Sequence, residues 1–286
     1  MPTIAARDGT RLYYEEAGQG SAVVFVHEYA GDFRTWEPQM RHFSRSHRCV
    51  TFSQRGYPPS DIPSDGARYS QDIARDDVIA LMDALKIDRA HVVGHSMGAL
   101  TALLVGVHYP ARCISLVAAS CGYGSSPDTK KVEEGRAASR ETAKMFAAEG
   151  IAAAAPRYAD GATRQTHKHK DPRGFAEFAK MLSEHSAEGH ALTMLHVQAK
   201  RPTLWDLEAD LKKFSPPLLI IVGDEDDWCL DGSVFLKRTV PTAGLLVIPR
   251  SGHTITSEEP AAFNAALADL FATSEAGRWM AHRAAK

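Results

Sequence analysis

Three short segments of this 286-residue chain contain residue types that together can perform nucleophilic catalysis. Ser96 lies between Gly94 and Gly98, the segment 223–227 carries four carboxylates, and His253 follows a glycine. A serine hydroxyl is a weak nucleophile at neutral pH, so it needs a histidine base that is oriented by a carboxylate. The order serine, acid, histidine therefore indicates a catalytic triad, whereas Ser96 taken alone is also compatible with a simple helix N-cap.

The two glycines beside Ser96 indicate a turn that is too tight for side chains on either side. A turn of this kind between a strand and a helix exposes the serine hydroxyl. Any side chain at Gly94 or Gly98 would then collide with neighbouring backbone, which is the physical reason for glycine at both positions.

Each candidate lies within a few residues after a short apolar run that predicts a β-strand. Residues 70–85 and 97–109 instead carry apolar residues at helical spacing. This alternation predicts an α/β fold in which a mostly parallel sheet has helices on both faces. The predicted strands are 11–17, 22–27, 49–52, 90–94, 114–119, 218–222 and 244–248.

The strand–helix alternation stops between Tyr123 and Pro216. This stretch has no clear apolar strand, is rich in Ala, Glu, Lys and His, and is typical of several helices. We therefore predict a core domain formed by residues 1–122 and 216–286, and a helical insertion formed by residues 123–215. The helical insertion should emerge at the carboxyl edge of the strands, where ligands bind in open α/β sheets.

Taken together, these segments resemble the α/β-hydrolase superfamily over nearly the whole chain. The resemblance implies an α/β-hydrolase fold in which the helical insertion forms a cap. It also implies that Ser96 is the nucleophile and His253 the base. The matching motifs are Phe25-Val-His27, Gly31 with Trp36, Gln54-Arg-Gly-Tyr-Pro-Pro-Ser60, Gly94-His-Ser-Met-Gly98, Gly223-Asp-Glu-Asp226 and Gly252-His253.

The same resemblance implies the remaining parts of the catalytic machinery. The acid of this family lies three residues after the strand-end glycine, which selects Asp226 and leaves Asp224 and Asp227 as alternatives. The negative charge on the attacked carbonyl oxygen needs two backbone N–H donors, an oxyanion hole. By resemblance, these donors belong to Met97 and Tyr29.

The chain departs from the family pattern at Glu28, where a glycine usually follows the histidine. A glutamate fits only if the backbone there suits a residue with a Cβ atom. Because an unpaired buried carboxylate is costly, one hypothesis pairs Glu28 with a basic residue, Arg55 first, and lets it fix the loop that carries Tyr29. The alternative hypothesis is that Glu28 lines the substrate pocket and contacts substrate or positions water.

Aromatic residues near the predicted site are candidates for lining a substrate pocket, and packing in the core would explain each of them equally well. They are Tyr123, Trp205 and Trp228, of which Trp228 is favoured because it follows the acidic segment. The segment 166–170 alternates histidine with lysine, and the lysines would repel a cation. We therefore predict a solvated loop there, with no metal site and no cofactor.

Composition excludes several classes of partner. The chain carries 33 basic and 35 acidic residues, a net charge of −2, with no concentrated basic block, which argues against nucleic acid or an anionic membrane. The 4 cysteines are widely spaced and form no C-x-x-C motif, so reduced thiols are expected rather than zinc or disulfides. With no apolar stretch of about 18–20 residues and no signal-peptide pattern, we expect a cytoplasmic protein.

The predicted activity is that of a cofactor-independent serine hydrolase, which cleaves a small ester or related acyl compound through an acyl-enzyme on Ser96. Lactone hydrolysis, or cleavage of a C–C bond in a vinylogous ketoacid, is an alternative with the same triad. A slow-turnover ligand receptor with this fold is an alternative of another class. Fast multiple turnover of simple esters would distinguish the enzyme from the receptor. The oligomeric state is not predicted.

Overall fold

A computed structural model describes residues 1–279. They form one eight-stranded sheet with the helices and loops that connect its strands. The strands are β1 (Thr3–Ala5), β2 (Arg11–Ala17), β3 (Ala22–Val26), β4 (Arg48–Phe52), β5 (Ala90–His95), β6 (Cys113–Ala119), β7 (Leu218–Gly223) and β8 (Ala243–Ile248). Their order in the sheet is β1-β2-β4-β3-β5-β6-β7-β8. The β1–β2 and β2–β4 pairs are antiparallel, and the other neighbours are parallel. The prediction of a mostly parallel sheet is confirmed.

Helices either flank this sheet or connect β6 to β7. They are α1 (Glu37–Phe43), α2 (Gln71–Ala84), α3 (Met97–His108), α4 (Thr129–Ala159), α5 (Gln165–Lys170), α6 (Pro172–Ser183), α7 (Ala187–Thr193), α8 (Glu208–Leu211), α9 (Asp227–Thr239), α10 (Ile255–Glu258) and α11 (Pro260–Glu275). Within residues 1–279, none of the helices combines the length and the apolar character that crossing a bilayer requires.

The central strand β3 shows why the sheet is covered on both faces. Its five residues are all buried, and successive side chains point to opposite faces. Val24 contributes to the core that includes residues of α2 and α3. Phe25 contributes to the core on the other face, which includes residues of α1 and α11. Burying each of these side chains stabilises the fold by about 1.5–3 kcal/mol.

The segment between β6 and β7 consists of helices and loops in the part of the chain that the structure describes. Its longest helix, α4, is broken at Gly150, whose φ of 74° lies in the left-handed region. Phe146 and Phe178 of this segment pack with Tyr29 and Tyr57 from the loops of the sheet. The division into a core domain and a helical insertion stays a prediction, and residues 280–286 of the predicted core lie outside the described residues.

Candidate active site

The sheet brings the three candidate catalytic segments to one edge. Strands β5, β7 and β8 run parallel to one another, so their carboxyl ends meet on the same side of the sheet. Ser96 follows β5, Asp226 lies in the turn between β7 and α9, and His253 follows β8. The carboxyl edge of a parallel sheet is where open α/β folds bind their ligands.

The turn at Ser96 is strained in the way that the flanking glycines predict. Ser96 has φ 52° and ψ −109°, and it stands directly before α3. A Cβ atom on Gly94 would collide with the carbonyl oxygen of Gly98, and one on Gly98 would collide with that of Val26. Strain of this kind costs on the order of 1–3 kcal/mol and persists because the surroundings enforce it.

Ser96, His253 and Asp226 form a continuous chain of hydrogen bonds. The Ser96 Oγ atom lies 2.9 Å from His253 Nε2. On the other side of the ring, His253 Nδ1 lies 2.9 Å from Asp226 Oδ2. Burial alone would raise the pKa of Asp226, but its contact with His253 outweighs burial and keeps the pKa below its usual value. A charged carboxylate is thus available to orient the imidazole ring.

The two alternative acids are directed elsewhere. Asp224 is exposed and accepts a hydrogen bond from the backbone N–H of Ser251 at 3.2 Å. Asp227 is exposed at the first position of α9. Of the three aspartates, Asp226 is the one that contacts His253.

Two residues that sequence reasoning did not assign to the site hold the His253 loop in place. His95 Nε2 lies 2.7 Å from the carbonyl oxygen of His253. Because burial lowers the pKa of His95 to about 4, the neutral ring donates this bond from Nε2. Glu258 accepts from the backbone N–H groups of Gly252 at 2.7 Å and Thr254 at 3.1 Å. These contacts fix the backbone on both sides of His253.

The predicted oxyanion donors, Tyr29 and Met97, lie at the ends of β3 and β5. Met97 begins α3, and neither backbone N–H donates a hydrogen bond to any group within residues 1–279. The Tyr29 loop is held by His27, whose Nε2 accepts from the Gln54 N–H at 3.0 Å and whose Nδ1 donates to the Glu28 carbonyl at 2.6 Å. Two free donors beside Ser96 suit an oxygen that becomes negatively charged.

Glu28 is paired, but its partner is not the predicted one. Its carboxylate accepts from Arg164, with Nη1 2.9 Å from Oε1 and a second contact from Nη2 to Oε2. Both side chains are buried. Burial would raise the pKa of Glu28, but the charge of Arg164 outweighs it and lowers the pKa to about 2. Glu28 is absent from the residues with positive φ, so its backbone does not require glycine.

The predicted pairing of Glu28 with Arg55 is wrong. Arg55 is buried and binds Asp77 of α2 and Asp8 instead, at 2.7 Å each. These two carboxylates already compensate the charge of Arg55. Arg164 lies between β6 and β7, 136 positions further along the chain than Glu28, and no local sequence signal links the two residues.

A cavity of about 300 Å³ opens over Ser96 and His253. Of the predicted pocket residues, Glu28, Tyr123 and Trp228 line it. Trp205 does not, because its ring stacks on Phe235 with the centroids 4.4 Å apart. Lining residues that sequence reasoning did not single out for the pocket include Met145, Arg157, Tyr158, Arg164, Gln198 and Arg201.

Two clusters of potential metal ligands occur within residues 1–279: His47, His91 and Glu275, which lie away from the triad, and one that overlaps with it. Ligand atoms of Asp226, Cys229 and His253 lie within 4.8 Å of one another. A cation there would need the His253 nitrogen that contacts Asp226, so metal binding and this contact exclude each other. The segment 166–170, predicted as a solvated loop, lies instead in helix α5 with His167 buried.

Comparison with known proteins identifies the family to which the chain belongs. A family model described as the alpha/beta hydrolase fold matches residues 21–260. The 3-oxoadipate enol-lactonase 2 of Acinetobacter baylyi is 26% identical over 269 residues, which cover 93% of this chain and 94% of that protein.

Two solved structures are similar over almost their whole length. An enol-lactonase from Burkholderia xenovorans has a TM-score of 0.80 and 23% identity, and the match covers 95% of this chain and 100% of that one. A thermophilic esterase from Thermogutta terrifontis has a TM-score of 0.82 and 22% identity, with 96% and 98% covered. At these identities the two likenesses concern the fold alone.

Proposed function

The chain belongs to the α/β-hydrolase fold family and is a hydrolase, and from this premise we propose that it cleaves a small ester or lactone through an acyl-enzyme on Ser96. The observation that carries the proposal is the contact of Ser96 Oγ with His253 Nε2 at 2.9 Å, backed by Asp226. A nucleophile, a base and an orienting acid in contact are the requirements of this chemistry.

In the proposed reaction, the Ser96 oxygen attacks the substrate carbonyl while His253 Nε2 accepts the hydroxyl proton. Asp226 stabilises the imidazolium that forms. The N–H groups of Tyr29 and Met97 stabilise the oxyanion, and removal of one such donor typically costs about 10²–10³-fold in rate. His253 then gives its proton to the leaving alcohol, and a water molecule, deprotonated by His253, releases the acid from Ser96.

The choice of ester or lactone rests on the relatives and on the size of the cavity. The curated relative from Acinetobacter baylyi is named as an enol-lactonase, and one solved relative is named as an esterase. Both reactions pass through an acyl-enzyme on Ser96. In ester cleavage the alcohol is released, whereas in lactone opening it stays attached to the acyl group. A cavity of about 300 Å³ is at the small end of ligand pockets and favours a small substrate.

We also propose that the helical insertion acts as a cap over this substrate. The support is that Met145, Tyr158 and Gln198 of the insertion line the same cavity as Ser96 and His253. A cytoplasmic location remains part of the proposal, and the four cysteines are free thiols, as is usual in a reducing compartment.

The experiment that tests the proposal is a kinetic screen of 4-nitrophenyl esters, small lactones and a vinylogous diketone. The Ser96→Ala variant should lower kcat on any accepted substrate by roughly 10³-fold or more, because no other hydroxyl contacts His253 Nε2 within residues 1–279. Ser139 lines the same cavity and donates to the Gly135 carbonyl. Ser139→Ala is therefore a matched control and should stay within about threefold.

Several outcomes would contradict the proposal. Ester or lactone turnover that survives in Ser96→Ala would contradict an acyl-enzyme on Ser96. Turnover of the diketone alone would assign C–C bond cleavage, and not ester cleavage, to this protein. A single slow turnover on every substrate would favour the ligand receptor.

A further inference from the structure

The cavity above Ser96 contains one cation that has no carboxylate partner among the described residues. Arg164 is neutralised by Glu28, and Arg157 pairs with Glu149. Arg201 also lines the cavity, yet it forms no salt bridge within residues 1–279. The lining therefore carries an uncompensated positive charge.

The position of Arg201 is fixed by its backbone. It follows a short π-helix, Met194–Gln198, and its N–H donates to the Val197 carbonyl at 2.8 Å. The guanidinium group donates one hydrogen bond, from Nη2 to the carbonyl oxygen of Tyr123. Because a guanidinium has five N–H donors, most of its hydrogen-bonding capacity is left for another partner.

The ionisable neighbours of Arg201 do not supply a negative charge. The groups that act on it are thiols and phenols, among them Cys121 and Tyr158. Burial raises the pKa of Cys121 to about 12 and that of Tyr158 to about 12, so both are neutral at pH 7. An arginine stays charged under these conditions. A half-buried cation without an anion is unfavourable and is stabilised by an anionic ligand.

This cation lines the same cavity as the reacting groups Ser96 and His253. The ring of Tyr123, whose carbonyl accepts from Arg201, has its centroid 6.2 Å from that of His253. An anion held by Arg201 would thus belong to the same small molecule whose carbonyl lies at Ser96. A planar carboxylate matches the fork of N–H donors on a guanidinium.

We propose that the substrate is an ester or lactone that also carries a carboxylate, and that Arg201 binds this carboxylate. The inference rests on the proposed function, because it assumes acyl transfer to Ser96. Arg201 would set specificity: it binds the substrate away from the bond that is cleaved, and this contact raises kcat/KM for acidic substrates only.

The test compares two 4-nitrophenyl esters of the same length, mono-4-nitrophenyl adipate and the 4-nitrophenyl ester of adipic monoamide. The amide has the shape of the carboxylic acid without its charge. We expect the wild-type protein to prefer the acid by at least tenfold in kcat/KM. Arg201→Met should lose about 10²-fold on the acid and less than threefold on the amide, and Arg201→Lys should recover part of the preference because it keeps the charge.

Arg157→Met is the matched control, because Arg157 lines the same cavity but is already paired. It should leave the preference for the acid within about twofold. Inhibition of phenyl acetate turnover by glutarate gives a second readout, and its inhibition constant should rise at least tenfold in Arg201→Met alone.

The two proposals fail in different ways. Ser96-dependent turnover without preference for the acid, and with glutarate inhibition unchanged in Arg201→Met, would overturn the carboxylate site and leave the hydrolase proposal standing. An equal loss on both esters in Arg201→Met would also overturn it, because Arg201 would then be structural. Turnover that does not depend on Ser96 would overturn the proposed function itself.

Discussion

The candidate site combines two regions that contribute different kinds of residue. The edge of the sheet supplies Ser96, Asp226 and His253, which are held by backbone turns and joined by hydrogen bonds of 2.9 Å. The segment between β6 and β7 supplies Arg164, at the end of a short 3-10 helix, and Arg201, just after the π-helix, and both line the same cavity. The sheet edge thus carries the proposed catalytic groups, and the segment between β6 and β7 carries positive charge.

The two regions also differ in what holds their side chains. Residues at the sheet edge depend on close backbone approach, as at Gly98 against Val26. Arg164 depends on one buried ion pair with Glu28 that joins the insertion to the sheet. From this difference we expect changes at the sheet edge to reduce catalysis, and changes in the insertion to reduce stability or alter selectivity.

The largest effect is expected from the acid at the sheet edge. Asp226→Asn should lower kcat by roughly 10³-fold or more, because the amide cannot stabilise the imidazolium of His253. Asp224→Asn and Asp227→Asn are the controls and should stay within about threefold. Steady-state kinetics on one ester substrate decides, and a greater loss in Asp227→Asn would contradict the assigned acid.

The next largest effect is expected where the insertion meets the sheet. Arg164→Met leaves the buried Glu28 carboxylate without a partner, so the free energy of unfolding should fall by about 3–5 kcal/mol. In the double variant with Glu28→Gln the loss should be smaller than the sum of the single losses, as expected for residues in contact. Urea unfolding measures all three.

The exposed pair of Arg157 and Glu149 provides the control for this cycle. Arg157→Met should cost no more than about 1 kcal/mol. Strictly additive losses in the Glu28 and Arg164 cycle would contradict a direct pair. A stable but inactive Glu28→Gln protein would instead assign the carboxylate to substrate chemistry.

An effect on stability is also expected from acidification. Burial lowers the pKa of both His27 and His95 from 6.5 to about 4, so the unfolded chain binds more protons between these values. The free energy of unfolding should therefore fall as the pH decreases from 6.5 to 4, by on the order of 2 kcal/mol for each ring. Unfolding by urea at pH 7 and pH 4.5 measures the change. Equal stability at the two pH values would contradict neutral, buried rings.

Sequence reasoning worked best where the chain is periodic. The predicted strand 11–17 coincides with β2, and the predicted strand 218–222 ends one residue before β7 does. The run 218–222 is continuously apolar because β7 is buried on both faces of the parallel part of the sheet. Residues 11–17 instead mix apolar and polar side chains, because β2 is an antiparallel strand that is partly exposed. The strand β1, three residues long, was not predicted because so short a segment has no measurable periodicity.

Contacts between residues far apart in the chain could not be predicted from local sequence patterns. The prediction that Glu28 pairs with a basic residue is correct, but the partner is Arg164 and not Arg55. The real partner depends on how the helical insertion packs, which no local pattern encodes. Trp205 was placed in the pocket for its residue type and lies instead against Phe235.

The most direct test of the central claim is covalent labelling with a neutral fluorophosphonate, followed by intact-mass and peptide analysis. We predict one adduct, on Ser96, which is absent in Ser96→Ala and forms at least 10²-fold more slowly in His253→Asn. Arg201→Met should react at the wild-type rate, because the proposed role of Arg201 is to bind a substrate carboxylate that the neutral probe lacks. Labelling that persists in Ser96→Ala, or that fails in Arg201→Met, would contradict the division between the two regions.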